Sequence, residues 1–73
     1  MLMFDLFQTE ERARAFLAAM KERFGLAGYV VENTNDERHE YPFYVYTEEV
    51  DSYSVEREIE QLAESMGGRF IGT

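Results

Sequence analysis

The sequence predicts an α+β domain whose elements follow the order β-α-β-β-α-β. Three observations predict it: apolar residues alternate in two long stretches, recur with helical spacing in two others, and form short apolar runs in the remaining two. In chain order the six stretches are residues 1–7, 10–24, 29–31, 41–47, 55–66 and 69–71. This order is typical of a split βαβ sandwich, a four-stranded antiparallel sheet with two helices on one face.

The first strand contains one charged residue, and that residue sets the predicted orientation of its side chains. A charged residue such as Asp5 is expected only on the solvent-exposed face of the sheet, so the residues that alternate with it should face the helices. The helix-facing residues are expected to be Leu2, Phe4 and Leu6. The residues expected on the open side are Met3, Asp5 and Phe7.

The first helix has a start signal, an apolar stripe and a stop signal. We expect Thr9 to be the N-cap, and Glu10 and Arg14 have the i, i+4 spacing of a stabilising ion pair. The residues of the apolar stripe are Ala13, Phe16, Leu17, Met20 and Phe24. Gly25 is the expected C-cap.

The second and third strands form a predicted hairpin. Residues 29–32 read as the second strand, and the polar residues 33–38 read as its loop. Pro42 should lie at the entrance to the third strand, because it donates no hydrogen bond. In the third strand the expected core residues are Phe43 and Val45, and the expected open-face residues are Tyr44 and Tyr46.

The second helix and the last strand complete the pattern. Asp51, Ser52 or Ser54 caps the helix, and the sequence leaves the three alternatives open. The apolar stripe consists of Val55, Ile59, Leu62, Ala63 and Met66. A Gly-Gly pair at 67–68 ends the helix, and residues 69–71 form an edge strand. The chain, residues 1–73, therefore reads as one ferredoxin-like domain.

Composition excludes several classes of protein. The 73 residues contain no Cys, so neither disulfides nor a thiolate metal site can stabilise the fold. No apolar run approaches the ~20 residues of a membrane span, and the N-terminus lacks the basic and apolar pattern of a signal peptide. We therefore expect a cytoplasmic protein.

The net charge of −8 argues against direct binding of nucleic acid, which requires Lys and Arg to neutralise phosphates. It favours a protein partner with a basic surface, although it equally fits a domain that only needs to be soluble. The candidate acidic residues lie in the second helix and just before it: Glu48, Glu49, Asp51, Glu56, Glu60 and Glu64. Their like-charge i, i+4 pairs cost less than about 1 kcal/mol, so the helix tolerates them without a functional reason.

The open face of the sheet is the second candidate surface. The apolar and aromatic residues expected there are Met3, Phe7, Val30, Tyr44, Tyr46 and Ile71, with Asp5 and Glu32 among them. Such a patch is typical of an interface with a partner or with a second copy. Stacking of RNA bases is disfavoured because Arg69 is the only basic residue expected on this face. Ordinary exposure of strand tyrosines is the remaining alternative.

We expect no catalytic residue, no metal site and no cofactor. His39 lies in a polar loop, and the serines have no predictable histidine nearby. The Asn-Asp-Glu run at 35–37 is too short for a calcium loop and lacks its glycine. The Gly-Gly pair at 67–68 ends a helix, whereas phosphate-binding glycines open one.

The second half of the chain resembles a known family. The run Val-Glu-Arg-Glu-Ile-Glu-Gln-Leu-Ala-Glu at 55–64, followed by Ser-Met-Gly-Gly-Arg-Phe-Ile-Gly at 65–72, is similar to the C-terminal helix and strand of the ribonuclease E regulator B family. The Gly-Tyr-Val-Val run at 28–31 is similar to the family's Gly-Tyr strand, whereas Ile-Gly-Thr at 71–73 replaces the family's Asp-Gly-Trp. The resemblance implies an acidic, ferredoxin-like, cytoplasmic domain that inhibits ribonuclease E by binding it.

The sequence therefore predicts a small acidic regulator, without catalytic activity, that binds and inhibits or modulates a protein partner. A nuclease or another nucleic-acid-binding protein with a basic surface is the expected kind of partner. The alternative is a homodimeric structural or small-ligand-binding module that associates through the open sheet face. An enzyme is the least favoured class.

Overall fold

The computed structural model describes residues 2–33 and 40–72, with the side chains of residues 2–4 and 72 excepted. It confirms an α+β fold with a four-stranded antiparallel sheet and two helices. The elements are β1 (Leu2–Phe7), α1 (Glu10–Phe24), β2 (Gly28–Glu32), β3 (Phe43–Glu48), α2 (Tyr53–Ser65) and β4 (Arg69–Gly72). The loop predicted at 33–38, apart from Asn33, and His39 lie outside the described residues.

The sheet has the strand order β2-β3-β1-β4, so β3 and β1 are central and β2 and β4 are its edges. All three neighbouring pairs are antiparallel. Helix α1 connects two strands that are separated by β3, and α2 connects two strands that are separated by β1. The register between β1 and β4 shifts at Phe4/Asp5, which is where the sheet departs from regular pairing.

Local signals fix the ends of both helices. The Thr9 hydroxyl accepts a hydrogen bond from the Arg12 backbone N–H at 3.2 Å, and Gly25 ends α1 in the left-handed region at φ 68°. Ser52 is the N-cap of α2, where its hydroxyl accepts from the Val55 N–H at 3.4 Å, so the structure selects one of the three alternatives. Among the described residues no helix has the length and apolar character of a membrane span.

Both helices pack against the same face of the sheet and share one hydrophobic core with it. The buried apolar residues are Phe7, Ala13, Phe16, Met20, Leu26, Val45, Ile59 and Ala63. The rings of Phe7 and Phe16 lie 5.0 Å apart between β1 and α1. The predicted helical stripes therefore do face the sheet, with the remaining stripe residues half-buried around the core.

The predicted orientation of β1 is wrong. Asp5 and Phe7 are fully buried on the helix-facing side, and Leu6 is half-buried on the opposite side. The register explains this, because Asp5 pairs with the core residue Val45 and Phe7 pairs with Phe43. Burial of the Phe7 ring and its contact with the Phe16 ring stabilise this orientation by roughly 2–4 kcal/mol. This gain is comparable to the cost of keeping the buried Asp5 carboxyl protonated.

Candidate functional site

The face of the sheet that carries no helix is apolar and aromatic. Its described side chains come from all four strands: Leu6, Tyr29, Val31, Tyr44, Tyr46 and Ile71. We call this set the open-face cluster. Arg69 lies opposite Leu6 at one margin, and Glu48 follows the tyrosines at the end of β3. The cluster is thus a neutral patch with one cation and one anion at its margins.

Three tyrosines at the centre of the open-face cluster hold one another in place. Tyr29 pairs directly with Tyr46 across β2 and β3, and their rings stack at 5.4 Å with an interplanar angle of 23°. The rings of Tyr44 and Tyr46 meet edge to face at 6.5 Å. The Asn33 Nδ2 donates a hydrogen bond to the Tyr44 hydroxyl at 3.1 Å. Cross-strand aromatic pairs of this kind stabilise a sheet, and here they also fix the shape of its surface.

Several members of the open-face cluster are strongly exposed. Tyr29 is 51% exposed, Val31 41% and Ile71 45%. No described element covers them, because both helices lie on the other face. Exposed apolar side chains are ordinary when scattered, but a contiguous set on one face is typical of a binding surface.

The sequence located part of this surface. Tyr44, Tyr46 and Ile71 lie on it, and the Met3 side chain lies outside the described residues. Phe7 was wrongly assigned to it, since its ring is in the core, and Val30 also faces the core. Sequence reasoning missed three members: Leu6, Tyr29 and Val31. Tyr29 and Val31 alternate with Val30, which indicates that the two share a face. The strand is too short, however, for its periodicity to show which face points toward the helices.

The predicted acidic residues lie on α2 and on the connection before it, and Glu48 also borders the open face. Glu48, Glu49 and Asp51 are exposed around the β3–α2 connection. Along α2, Glu64 is exposed, whereas Glu56 and Glu60 are half-buried.

This acidic surface is not uniformly negative. Arg57 lies within α2, where its guanidinium donates to the Tyr53 hydroxyl at 3.3 Å. Arg57 is a cation like any arginine, and its hydrogen bond with Tyr53, the electrostatic interaction with Tyr53 and the charge of Glu60 raise its pKa further. Even so, α2 carries four Glu against one Arg and remains net negative, and the directly adjacent pair Glu48 and Glu49 precedes it.

Among the described residues the core contains one ionisable side chain, which belongs to neither candidate surface. Asp5 is 0% exposed, and neither of its carboxylate oxygens has a hydrogen-bond partner. The Thr47 hydroxyl on the neighbouring strand is buried and unpartnered as well. Loss of hydration raises the pKa of Asp5 from 3.8 to about 7. The carboxyl is closed off from solvent, so it bears on stability and not on a substrate.

No family model matches this sequence, and no curated protein and no solved structure matches it either. Within the described part of the chain, no group of three potential metal ligands is present. Function must therefore be inferred from the geometry and charge of the described surfaces.

Proposed function

We propose that this protein is a small acidic regulator, without catalytic activity of its own, that binds a protein partner through the open-face cluster. The single observation that carries the proposal is the stacked tyrosine group, Tyr29 with Tyr46 and Tyr44, on a face that no described element covers. Tyrosine is enriched at protein interfaces because its ring buries apolar area while its hydroxyl hydrogen-bonds.

The charge of the chain selects the kind of partner. A net charge of −8 opposes RNA, and Arg69 is the one cation among the described residues of the open face. A second copy of the chain would bring the same negative charge to the interface. A partner with apolar side chains surrounded by Lys and Arg complements both the cluster and the exposed acids Glu48 and Glu49.

The proposed mechanism is occlusion. A regulator that covers an apolar patch beside a basic groove also blocks access of other ligands to that groove. The acidic residues accelerate encounter and contribute to affinity through charge, so both effects weaken with salt. Nuclease inhibition, as the ribonuclease E regulator B resemblance implies, is one instance of this mechanism.

We propose a ferredoxin-like fold and a cytoplasmic location together with this function. The fold proposal is supported by two helices on one face, and by a sheet in which each helix connects strands separated by one other strand. The location is supported by the absence of Cys from the sequence.

The experiment uses a photo-crosslinking residue at Ile71 to identify the partner, which is then purified for affinity measurements. Tyr29→Ser should weaken binding at least about 10-fold, because it removes a stacked ring from the interface. Tyr53→Ser is the matched control, since Tyr53 is 72% exposed on α2 and lies away from the open face. Equal losses from the two variants, or affinity that does not change with salt, would contradict the proposal.

Sedimentation of the chain alone distinguishes this proposal from the alternative, a homodimer joined through the open sheet face. We expect a monomer at tens of micromolar. A dimer that the Tyr29→Ser variant dissociates and the Tyr53→Ser variant preserves would assign the open-face cluster to self-association instead.

A further inference from the structure

The outer edge of β2 carries unpaired backbone groups. Asn33 N–H donates to the Pro42 carbonyl at 2.7 Å, and Glu48 N–H donates to the Ala27 carbonyl at 3.4 Å. Hydrogen-bonded pairs alternate along an antiparallel ladder, so residues 29 and 31 bond to β3. The N–H and C=O groups of Gly28, Val30 and Glu32 therefore point outward. No described strand pairs with this edge.

A groove of about 340 Å³ lies between α1 and the start of β2. One face of the helix lines it with Arg14, Leu17, Ala18 and Lys21, and the connection lines it with Leu26 and Ala27. The walls are mainly aliphatic. The volume is near the lower end of the roughly 300–1,000 Å³ found for ligand pockets, which is enough for one large side chain.

The groove has the opposite charge to the rest of the molecule. Both of its charged lining residues, Arg14 and Lys21, are cations, although the chain has a net charge of −8. Arg14 forms an exposed ion pair with Glu10 at 2.9 Å. A carboxylate that enters the groove meets Lys21 directly and competes with Glu10 for Arg14.

We propose that the β2 edge and this groove together bind the C-terminal segment of another protein as a fifth strand. The peptide backbone pairs with Gly28, Val30 and Glu32, and the last side chain, which is apolar, fills the groove. The terminal carboxylate lies against Lys21 and Arg14. Strand addition of this kind draws affinity from backbone hydrogen bonds and specificity from pockets beside the edge.

The size of the groove selects a C-terminus over an internal acidic residue. A terminal residue carries its side chain and its carboxylate on one Cα atom, so both fit a single small groove. In an extended peptide the neighbouring side chain points to the opposite face, and the next one on the same face is about 7 Å away. An internal Asp or Glu would therefore place its charge outside a groove that its apolar neighbour fills.

The test uses a synthetic hexapeptide that ends in Thr-Val-Leu, as the free acid and as the C-terminal amide, with amide chemical shifts of the protein as the readout. We expect the free acid to shift the resonances of residues 26–32 and the amide to bind at least about 10-fold more weakly. Lys21→Glu should remove the preference for the free acid. Arg23→Glu is the matched control, because it makes the same charge change on an exposed residue outside the groove.

A second variant tests strand addition separately from the groove. A chain synthesised with N-methylvaline at position 30 loses one outward N–H and keeps the valine side chain and the bonds to β3. It should retain the circular dichroism spectrum and lose peptide binding. Undiminished binding would overturn the fifth-strand arrangement, and equal binding of acid and amide would overturn the carboxylate site. Shifts confined to Tyr29, Tyr44 and Tyr46 would place the peptide on the open-face cluster instead.

Discussion

Replacing Asp5 with asparagine should make the stability of this domain much less dependent on pH. The Asp5 carboxyl is fully buried and has no hydrogen-bond partner, so loss of hydration raises its pKa to about 7 in the folded protein. In the unfolded chain the same group titrates near its ordinary value of 3.8. Between these two values the folded state keeps a proton that the unfolded state has lost, so rising pH favours unfolding.

The magnitude follows from the two pKa values. They differ by about 3 units, and each unit corresponds to about 1.4 kcal/mol, so the free energy of unfolding falls by about 4 kcal/mol across this range. Below about pH 4 both states hold the proton and there is no penalty, and above about pH 7 both have lost it and the penalty is constant. A loss of this size is most of the ~5 kcal/mol expected for a small domain.

The neighbouring charges do not offset this effect. Every charged residue of α1 is exposed, and on α2 only Glu56 and Glu60 are half-buried. Arg69 on β4 pairs with Leu6 and lies on the opposite face of the sheet, and Glu48 at the end of β3 is exposed. Desolvation is accordingly the one cause of the raised pKa of Asp5.

The assay is urea unfolding of the wild type and of Asp5→Asn at a series of pH values, followed by circular dichroism. Subtracting one profile from the other removes the titration of all the other groups. The stability of Asp5→Asn relative to wild type should rise by about 4 kcal/mol from pH 4 to pH 8 and then level off. A difference that stays constant with pH, or that changes in the opposite direction, would refute the reasoning and would mean that the folded protein holds Asp5 ionised and partnered.

Four further substitutions, in two matched pairs, test the packing and the caps. Gly68→Ala should destabilise the fold by about 1–3 kcal/mol, because the added Cβ would lie 2.7 Å from Phe7 Cζ and 2.8 Å from the Leu6 carbonyl oxygen. Gly25→Ala is the control, because the new Cβ would meet nothing within 4 Å and should cost only the ~1 kcal/mol of a left-handed residue. An equal loss of stability at Gly25 and Gly68 would contradict the packing argument. Ser52→Ala should lower the free energy of unfolding by about 1 kcal/mol in urea, as expected for loss of an N-cap. Ser54→Ala should cost less, and the reverse order would show that Ser54 is the true cap.

Sequence reasoning predicted the elements well because their signals are local. Thr9 and Gly25 lie next to the residues they cap, and the helical stripes are long enough to have one phase. The orientation of β1 was not predictable in this way, because both sets of alternate residues are apolar apart from Asp5. The outcome depends on pairing with β3, a contact with residues about 40 positions away in the chain.

The candidate site was partly predictable for the same reason. Tyr44 and Tyr46 alternate clearly with Phe43 and Val45, so their face could be read from the sequence. Tyr29 joins them only through the register of the β2–β3 hairpin, in which it lies opposite Tyr46. The location of the β2 edge and of its groove depends on strand order and on the position of α1. The periodicity of a single strand predicts neither the strand order nor the helix position.

The tyrosine group on the open face also gives the molecule a built-in optical label. The chain has five Tyr and no Trp, so its ultraviolet fluorescence comes from tyrosine alone. Three of the five rings lie within 6.5 Å of a neighbour on one face, close enough for their electronic transitions to couple and for excitation to migrate between them. Near-ultraviolet circular dichroism and the anisotropy of tyrosine emission therefore report on this face without any attached dye. A ligand that separates Tyr29 from Tyr46 would change both signals, and a ligand that binds only at the α1–β2 groove would leave them largely unaltered.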